Sequence, residues 1–216
     1  MINNKDEHAL NAYDEVCKWE RTEAVKLLSQ CGLEPGMTVM DIGCGYGHYT
    51  IPAAIAAGTN GSVIAIEKLK KIIKHAEKRL DEAGIENVEL MNTNHQGLPD
   101  TVQNQIDFLL MYDVIHHSPR SEMLETAAQC LKQGGILSFL AFKDLSGYKP
   151  SLFEEMLKEV IHDIEAAGFT LKSEIPFGGV HFDHFHSSYH WKRYGEVRLA
   201  SLERGTVYNF MKTKQP

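Results

Sequence analysis

Short apolar runs alternate with helical stretches along this chain, and that alternation restricts the fold more than any other feature. The runs "TVMDI", "SVIAIE", "VELMN", "IDFLLMY", "ILSFLAF", "FTLKSEI" and "TVYNFMK" read as strands. Between them lie segments with helical spacing, among them "KLKKIIKHAEKRLDEAG", which ends on a glycine stop. A further helix is expected from about Ala12 to Gln30, with Val16, Trp19, Ala24, Leu27 and Leu28 near one face. Strands this apolar are covered on both faces. The pattern therefore predicts an α/β protein built on a doubly wound, mostly parallel sheet.

With 216 residues and 43% hydrophobic residues, the chain suits one domain with one large core. The formal charge of −7 makes it a poor candidate for nucleic-acid binding, which depends on Lys and Arg neutralising phosphates. The first 23 residues are polar and lack the apolar stretch of a signal peptide, and no apolar run reaches membrane-spanning length. The expectation is a soluble, cytoplasmic protein acting on a small molecule, with no nucleic-acid or membrane partner. Cys17, Cys31, Cys44 and Cys130 have no metal-binding spacing and read as free thiols.

In a doubly wound sheet, ligands bind outside the carboxyl ends of the strands, where the strand order reverses. The segment "VMDIGCGYGHY", Val39 to Tyr49, follows the first strand and opens a helix, so it belongs at such an edge. Glycines at alternate positions let a ligand approach the backbone and let N–H groups point at it. Glu67 ends the second strand, where an acid accepts hydrogen bonds from both hydroxyls of a ribose. A dinucleotide loop would read G-x-G-x-x-G and seat a pyrophosphate. Here the order is Gly43-x-Gly45-x-Gly47 behind Asp41, and an acid there favours a cationic ligand over a pyrophosphate. That spacing argues against a nicotinamide-dependent oxidoreductase.

"DIGCGYG" resembles the signature loop of class I S-adenosylmethionine-dependent methyltransferases. "LKQGGIL", Leu131 to Leu137, resembles that family's turn into the fifth strand, and "YDVIHHSP", Tyr112 to Pro119, resembles the segment after the fourth strand in its small-molecule members. The resemblance spans roughly Pro35 to Phe142. It implies a Rossmann-like methyltransferase fold of seven strands, with the last antiparallel and lying between the fifth and sixth. It also implies S-adenosylmethionine as cofactor. Gly43, Gly45 and Gly47 would receive the methionine half, Asp41 would orient its amino group, and Glu67 would hold the ribose. Lys68 or Leu69 would cover one adenine face. Asn94 stands where the family usually has an acid and can still accept from the adenine amino group. His95 would lie at the adenine edge, and Tyr112 with Asp113 at the methionine end. Such an enzyme aligns a nucleophile with the sulfonium methyl for in-line displacement and excludes water. His117, after the fourth strand, is a candidate catalytic base.

The segment "GGVHFDHFHSSYHWKRYGEV", Gly178 to Val197, concentrates His181, Asp183, His184, His186 and His190 among aromatic residues. In the resembling fold this connection between the sixth and seventh strands leaves and returns at the carboxyl edge. His184 and His186 are thus candidate catalytic residues. Three readings stand for these imidazoles: solvated hydrogen bonding in a cover loop, contact with the acceptor, or ligation of a divalent metal. If the histidines serve recognition alone, the chain is a non-catalytic metabolite or metal sensor on the same fold. The expected organisation is a single domain over 1–216, with a helical lid over 1–34, in which Tyr13 or Trp19 caps the pocket or simply packs, and an active-site cover over 177–204.

Overall fold

The computed structural model describes residues 14–93, 102–115, 120–142, 150–181 and 201–213. Helix α1 covers residues 14–21. It is followed by α2 (Glu23–Gln30), β1 (Thr38–Ile42), α3 (Thr50–Ala57), β2 (Ser62–Glu67), α4 (Lys70–Ala83) and β3 (Val88–Asn92). The second half runs β4 (Ile106–Tyr112), α5 (Arg120–Cys130), β5 (Leu131–Phe142), α6 (Pro150–Ala166), β6 (Phe169–His181) and β7 (Ser201–Lys212).

The single helix expected near Ala12–Gln30 is two helices. Thr22 departs from helical geometry at φ −127° and ψ −80°. Its hydroxyl donates to Lys18 O at 2.7 Å, the local back-bonding that bends helices at Thr. Helix α4 ends as its glycine suggested, with Ile85 N–H reaching back to Leu80 O at 3.0 Å past Gly84.

The strands form one sheet in the order β3-β2-β1-β4-β5-β7-β6. All neighbours pair in parallel except β7, which is antiparallel to β5 and β6. The order reverses between β1 and β4, so the carboxyl-edge crevice opens there. Alternation sends Val39, Val63, Phe108 and Leu110 into a core with α1, α2 and α3. Met40, Ile66, Leu109 and Met111 enter a second core with α5 and α6 on the opposite face.

The β6–β7 hairpin is longer than the apolar pattern suggested. Among the described residues, pairing of β5 with β7 runs to Phe142↔Gly205. Pairing of β6 with β7 continues for four residues, from Gly178↔Arg204 to His181↔Ser201. That carries the hairpin roughly 13 Å beyond the last described pair of β5, at the carboxyl edge. Pro176, Gly178 and Gly179 lie within β6, an edge strand, where residues that weaken a ladder are tolerated. Residues 177–181 and 201–204 of the expected cover are therefore strand, and the 182–200 connection lies outside the described residues.

Lys212, 2% exposed at the end of β7, closes the bottom of the second core. Its ammonium donates to Ala128 O at 2.5 Å and Leu131 O at 2.8 Å, satisfying carbonyls where α5 runs directly into β5. Lys212→Met keeps most of the stem and strands those carbonyls. We expect a loss of about 1–3 kcal/mol in urea unfolding, with the slope unchanged.

Candidate functional site

Strand β1 ends at Ile42, and the loop that follows is hung on the end of β2. The N–H groups of Gly43 and Cys44 both donate to Ile66 O, at 2.8 and 3.0 Å. The next N–H, from Gly45, donates to Glu67 Oε2 at 3.3 Å, and Gly47 N–H closes the turn on Cys44 O at 2.8 Å. Helix α3 begins three residues later.

The glycines are required for different reasons. Gly43 sits at φ +75°, and a Cβ there would meet Val114 Cγ1 at 2.4 Å, so the loop packs against the segment leaving β4. Gly45 sits at φ +53°, and the nearest atom to its notional Cβ is Gly43 O at 3.9 Å. Gly45 therefore faces open space at the switch point, the cradle expected for a ligand laid on the backbone.

Two buried carboxylates flank this loop. Asp41, on β1, is 3% exposed and accepts from the Thr50 hydroxyl at 2.6 Å. Burial pushes its carboxyl up to about 7; the Thr50 hydrogen bond opposes the rise and the Glu67 charge adds to it. Glu67, 6% exposed, accepts from Leu69 N–H at 2.9 Å through Oε1 and from Gly45 N–H through Oε2. Each oxygen keeps acceptor capacity. Beside it Leu69 is 45% exposed, a large apolar side chain at the mouth of the site. Cys44, between the carboxylates, is not a nucleophile: burial, then Asp41 and Glu67, push its thiol up.

The structure thus brings together Asp41, Gly43, Gly45, Gly47 and Glu67. Tyr112 ends β4 on the same sheet face, but its hydroxyl is committed inward. It bonds Ser138 Oγ at 2.7 Å, Ser138 donates to Asn209 Oδ1 at 2.7 Å, and Asn209 donates to Ser173 Oγ at 3.0 Å. This buried chain links β4, β5, β7 and β6, and only the ring of Tyr112 is available to a site. Asp113, the next residue, adopts φ +58° at the crevice. Trp19 packs edge-on against Tyr49, with centroids 5.6 Å apart, and its indole N–H donates to Gly178 O at 3.1 Å. It ties α1 to the hairpin. Tyr13, Asn94, His95, His117, His184 and His186 lie outside the described residues.

Sequence reasoning missed a buried ionic cluster beside the loop. Arg79 of α4 donates to both oxygens of Glu20 of α1, each at 2.7 Å, and to Tyr46 O at 2.8 Å. His48 Nδ1 lies 2.5 Å from Glu20 Oε1. The available signal was spacing: Arg79 follows Ile72 and Ala76 on one buried helical face, and Glu20 follows Val16 and Trp19. Among the described residues, no group of three or more His, Cys, Asp or Glu side chains is placed to hold a metal ion. No described helix is long and apolar enough to cross a membrane.

A buried carboxyl held at about 7 weakens the ligand-free fold. Its unfolded value is 3.8, so between about pH 4 and 7 the unfolded chain gives up its proton first, and stability falls as pH rises, levelling above 7. Asp41→Asn has no such proton to lose. Ligand-free Asp41→Asn should lack this part of the pH slope and melt above the parent at pH 8. An unchanged slope would contradict the assignment.

The sequence profile of the family described as "Methyltransferase domain" matches residues 33–195. Demethylmenaquinone methyltransferase of Listeria welshimeri is 29% identical over 122 residues, 56% of this chain and 50% of that protein. The chain thus spans about half the length of the first curated relatives it matches. Ribosomal RNA small subunit methyltransferase G of Lachnoclostridium phytofermentans is 24% identical over 172 residues, 78% of this chain and 66% of that protein. A SAM-dependent methyltransferase from Aquifex aeolicus superposes with a TM-score of 0.67 at 21% identity, covering 93% of this chain and 98% of the other. The profile covers most of the chain and the seven-stranded sheet with its antiparallel β7 matches the fold of these neighbours, and the chain belongs to the S-adenosylmethionine-dependent methyltransferase family.

Proposed function

We propose that this chain methylates a small-molecule acceptor by in-line displacement, using S-adenosylmethionine held at the β1–β2 edge. The observation that carries the cofactor assignment is the pair of buried carboxylates astride a glycine loop that faces open space at Gly45. Asp41 would face the ammonium group and Glu67 the ribose hydroxyls, with Leu69 against the adenine. When bound, S-adenosylmethionine supplies an electrophilic methyl group on a sulfonium. The chain's own work is to orient that group and exclude water.

On the acceptor side we assign His117, which follows β4 in sequence, and His184 and His186, which follow β6. Both strands run parallel and end at the carboxyl edge. One of these imidazoles would take the acceptor's proton if the nucleophile arrives protonated. Asn94 and His95 would contact the adenine beyond β3.

The net charge of −7 supports a small acceptor. The competing acceptor is RNA, favoured by the 172-residue similarity to the ribosomal RNA methyltransferase. Transfer of labelled methyl into a metabolite extract, against transfer into purified RNA, separates the two.

The cofactor assignment has a protonic signature. Ligand-free Asp41 is mostly protonated at pH 6, and an ammonium group beside it favours the carboxylate. Binding of S-adenosylhomocysteine should therefore release close to one proton at pH 6 and almost none above pH 8, read by calorimetry in buffers of different ionisation heat. Asp41→Asn should abolish the release, and Glu67→Ala should weaken binding by about 1–3 kcal/mol. Equal affinity for NAD would refute the assignment.

A further inference from the structure

Glu20 is 2% exposed on a helix outside the family's matched region, yet it reaches the middle of the glycine loop through one intermediary. Arg79 spends both ends of its guanidinium there. Nη2 grips the two Glu20 oxygens, and Nη1 holds Tyr46 O, the carbonyl between Gly45 and Gly47. His48, one residue past the last glycine, contacts the same carboxylate. Burial and the guanidinium hold His48 below its ordinary value against the opposing pull of the Glu20 carboxylate that Nδ1 contacts. Burial alone would raise the Glu20 carboxyl, but His48 and Arg79 together hold it below its usual range, so it is a carboxylate. Helices α1 and α4 and the loop thus share one buried charge pair.

We propose that Glu20, acting through Arg79, is a positioning residue for the glycine loop, and that docking of α1 and occupancy of the cofactor site are thereby coupled. The proposal rests on the cofactor assignment made above. The physical basis is that a guanidinium this buried does not stay in place without its countercharge. If α1 leaves, Arg79 must seek water or other acceptors, and the Tyr46 carbonyl loses the donor that sets the Gly45–Gly47 backbone. By linkage, a ligand that requires the loop in its docked shape holds α1 down by the same factor. Helix α1 is then a part of the cofactor site that sequence comparison over 33–195 does not register. Exposed ion pairs such as Lys26–Glu23, with side chains more than half exposed, carry no such coupling.

The test uses the full chain, S-adenosylhomocysteine as probe, and the variants Glu20→Gln and Arg79→Lys, well below each melting temperature. In the parent, probe binding should slow amide exchange across residues 14–21. In either variant the probe should bind roughly tenfold or more weakly, and exchange in α1 should no longer respond to it. Variants that melt earlier but keep the parent's affinity and the parent's α1 response would reduce the cluster to a structural ion pair and overturn the proposal. If neither variant folds, the parent decides: binding without protection of α1 also overturns it. A parent that binds no probe refutes the cofactor assignment itself, and the coupling falls with it.

Discussion

Two backbone N–H groups, from Gly43 and Cys44, converge on one carbonyl, that of Ile66, and the rest of the site depends on that junction. It brings the end of β1 onto the end of β2, so that Asp41 and Glu67 stand on the same sheet face with the loop between them. Parallel register makes this geometry available, because Asp41 pairs with Ala65 and Glu67 follows two residues on, on the same side. The loop N–H of Gly45 then finds Glu67, and the Thr50 hydroxyl at the start of α3 finds Asp41. Gly43 admits Val114 from the segment that leaves β4, across the switch point. Parallel register, turn chemistry and charge therefore meet in one local arrangement of hydrogen bonds.

That arrangement is not optimised for the ligand-free fold. A carboxyl as buried as Asp41, beside a second acid, opposes folding once it ionises. Functional sites are where local rules of this kind are broken, and a cationic ligand removes the conflict by supplying the missing charge. The neighbouring Glu20–Arg79 pair follows the opposite logic: both charges are internal, paired in two hydrogen bonds and satisfied without a ligand. Among the described residues, the fold leaves the first pair of acids without a countercharge and supplies the countercharge of the second within itself.

Much of this was legible in the residues. The apolar runs located every strand, and the central strands β1 and β4 were plainest because a strand covered on both faces has no polar alternation to confuse the reading. Gly43, Gly45, Gly47, Asp41 and Glu67 were legible because turn and charge requirements act over a few residues. What failed was long-range or positional. The kink at Thr22 arises from a side-chain bond to Lys18 O inside an unbroken periodic pattern. The hairpin passes through Pro176 because β6 is an edge, which depends on the whole sheet order. Glu20 and Arg79 are far apart in sequence and appear only as charges on apolar faces. The bond that ties the Tyr112 hydroxyl to the Ser138–Asn209–Ser173 chain was not legible either, because its partners come from three other strands. The imidazoles of His117, His184 and His186 fall beyond the described residues, so their part rests on where β4 and β6 end.

The central claim is that Asp41 and Glu67 divide one cofactor between them. A crystal structure of the chain with S-adenosylhomocysteine tests it most directly. The account predicts the ribose hydroxyls on the Glu67 carboxylate, the amino group beside Asp41, and the ligand backbone lying over Gly45. Ligand density at any other edge of the sheet, or a ribose held by residues other than Glu67, would contradict it.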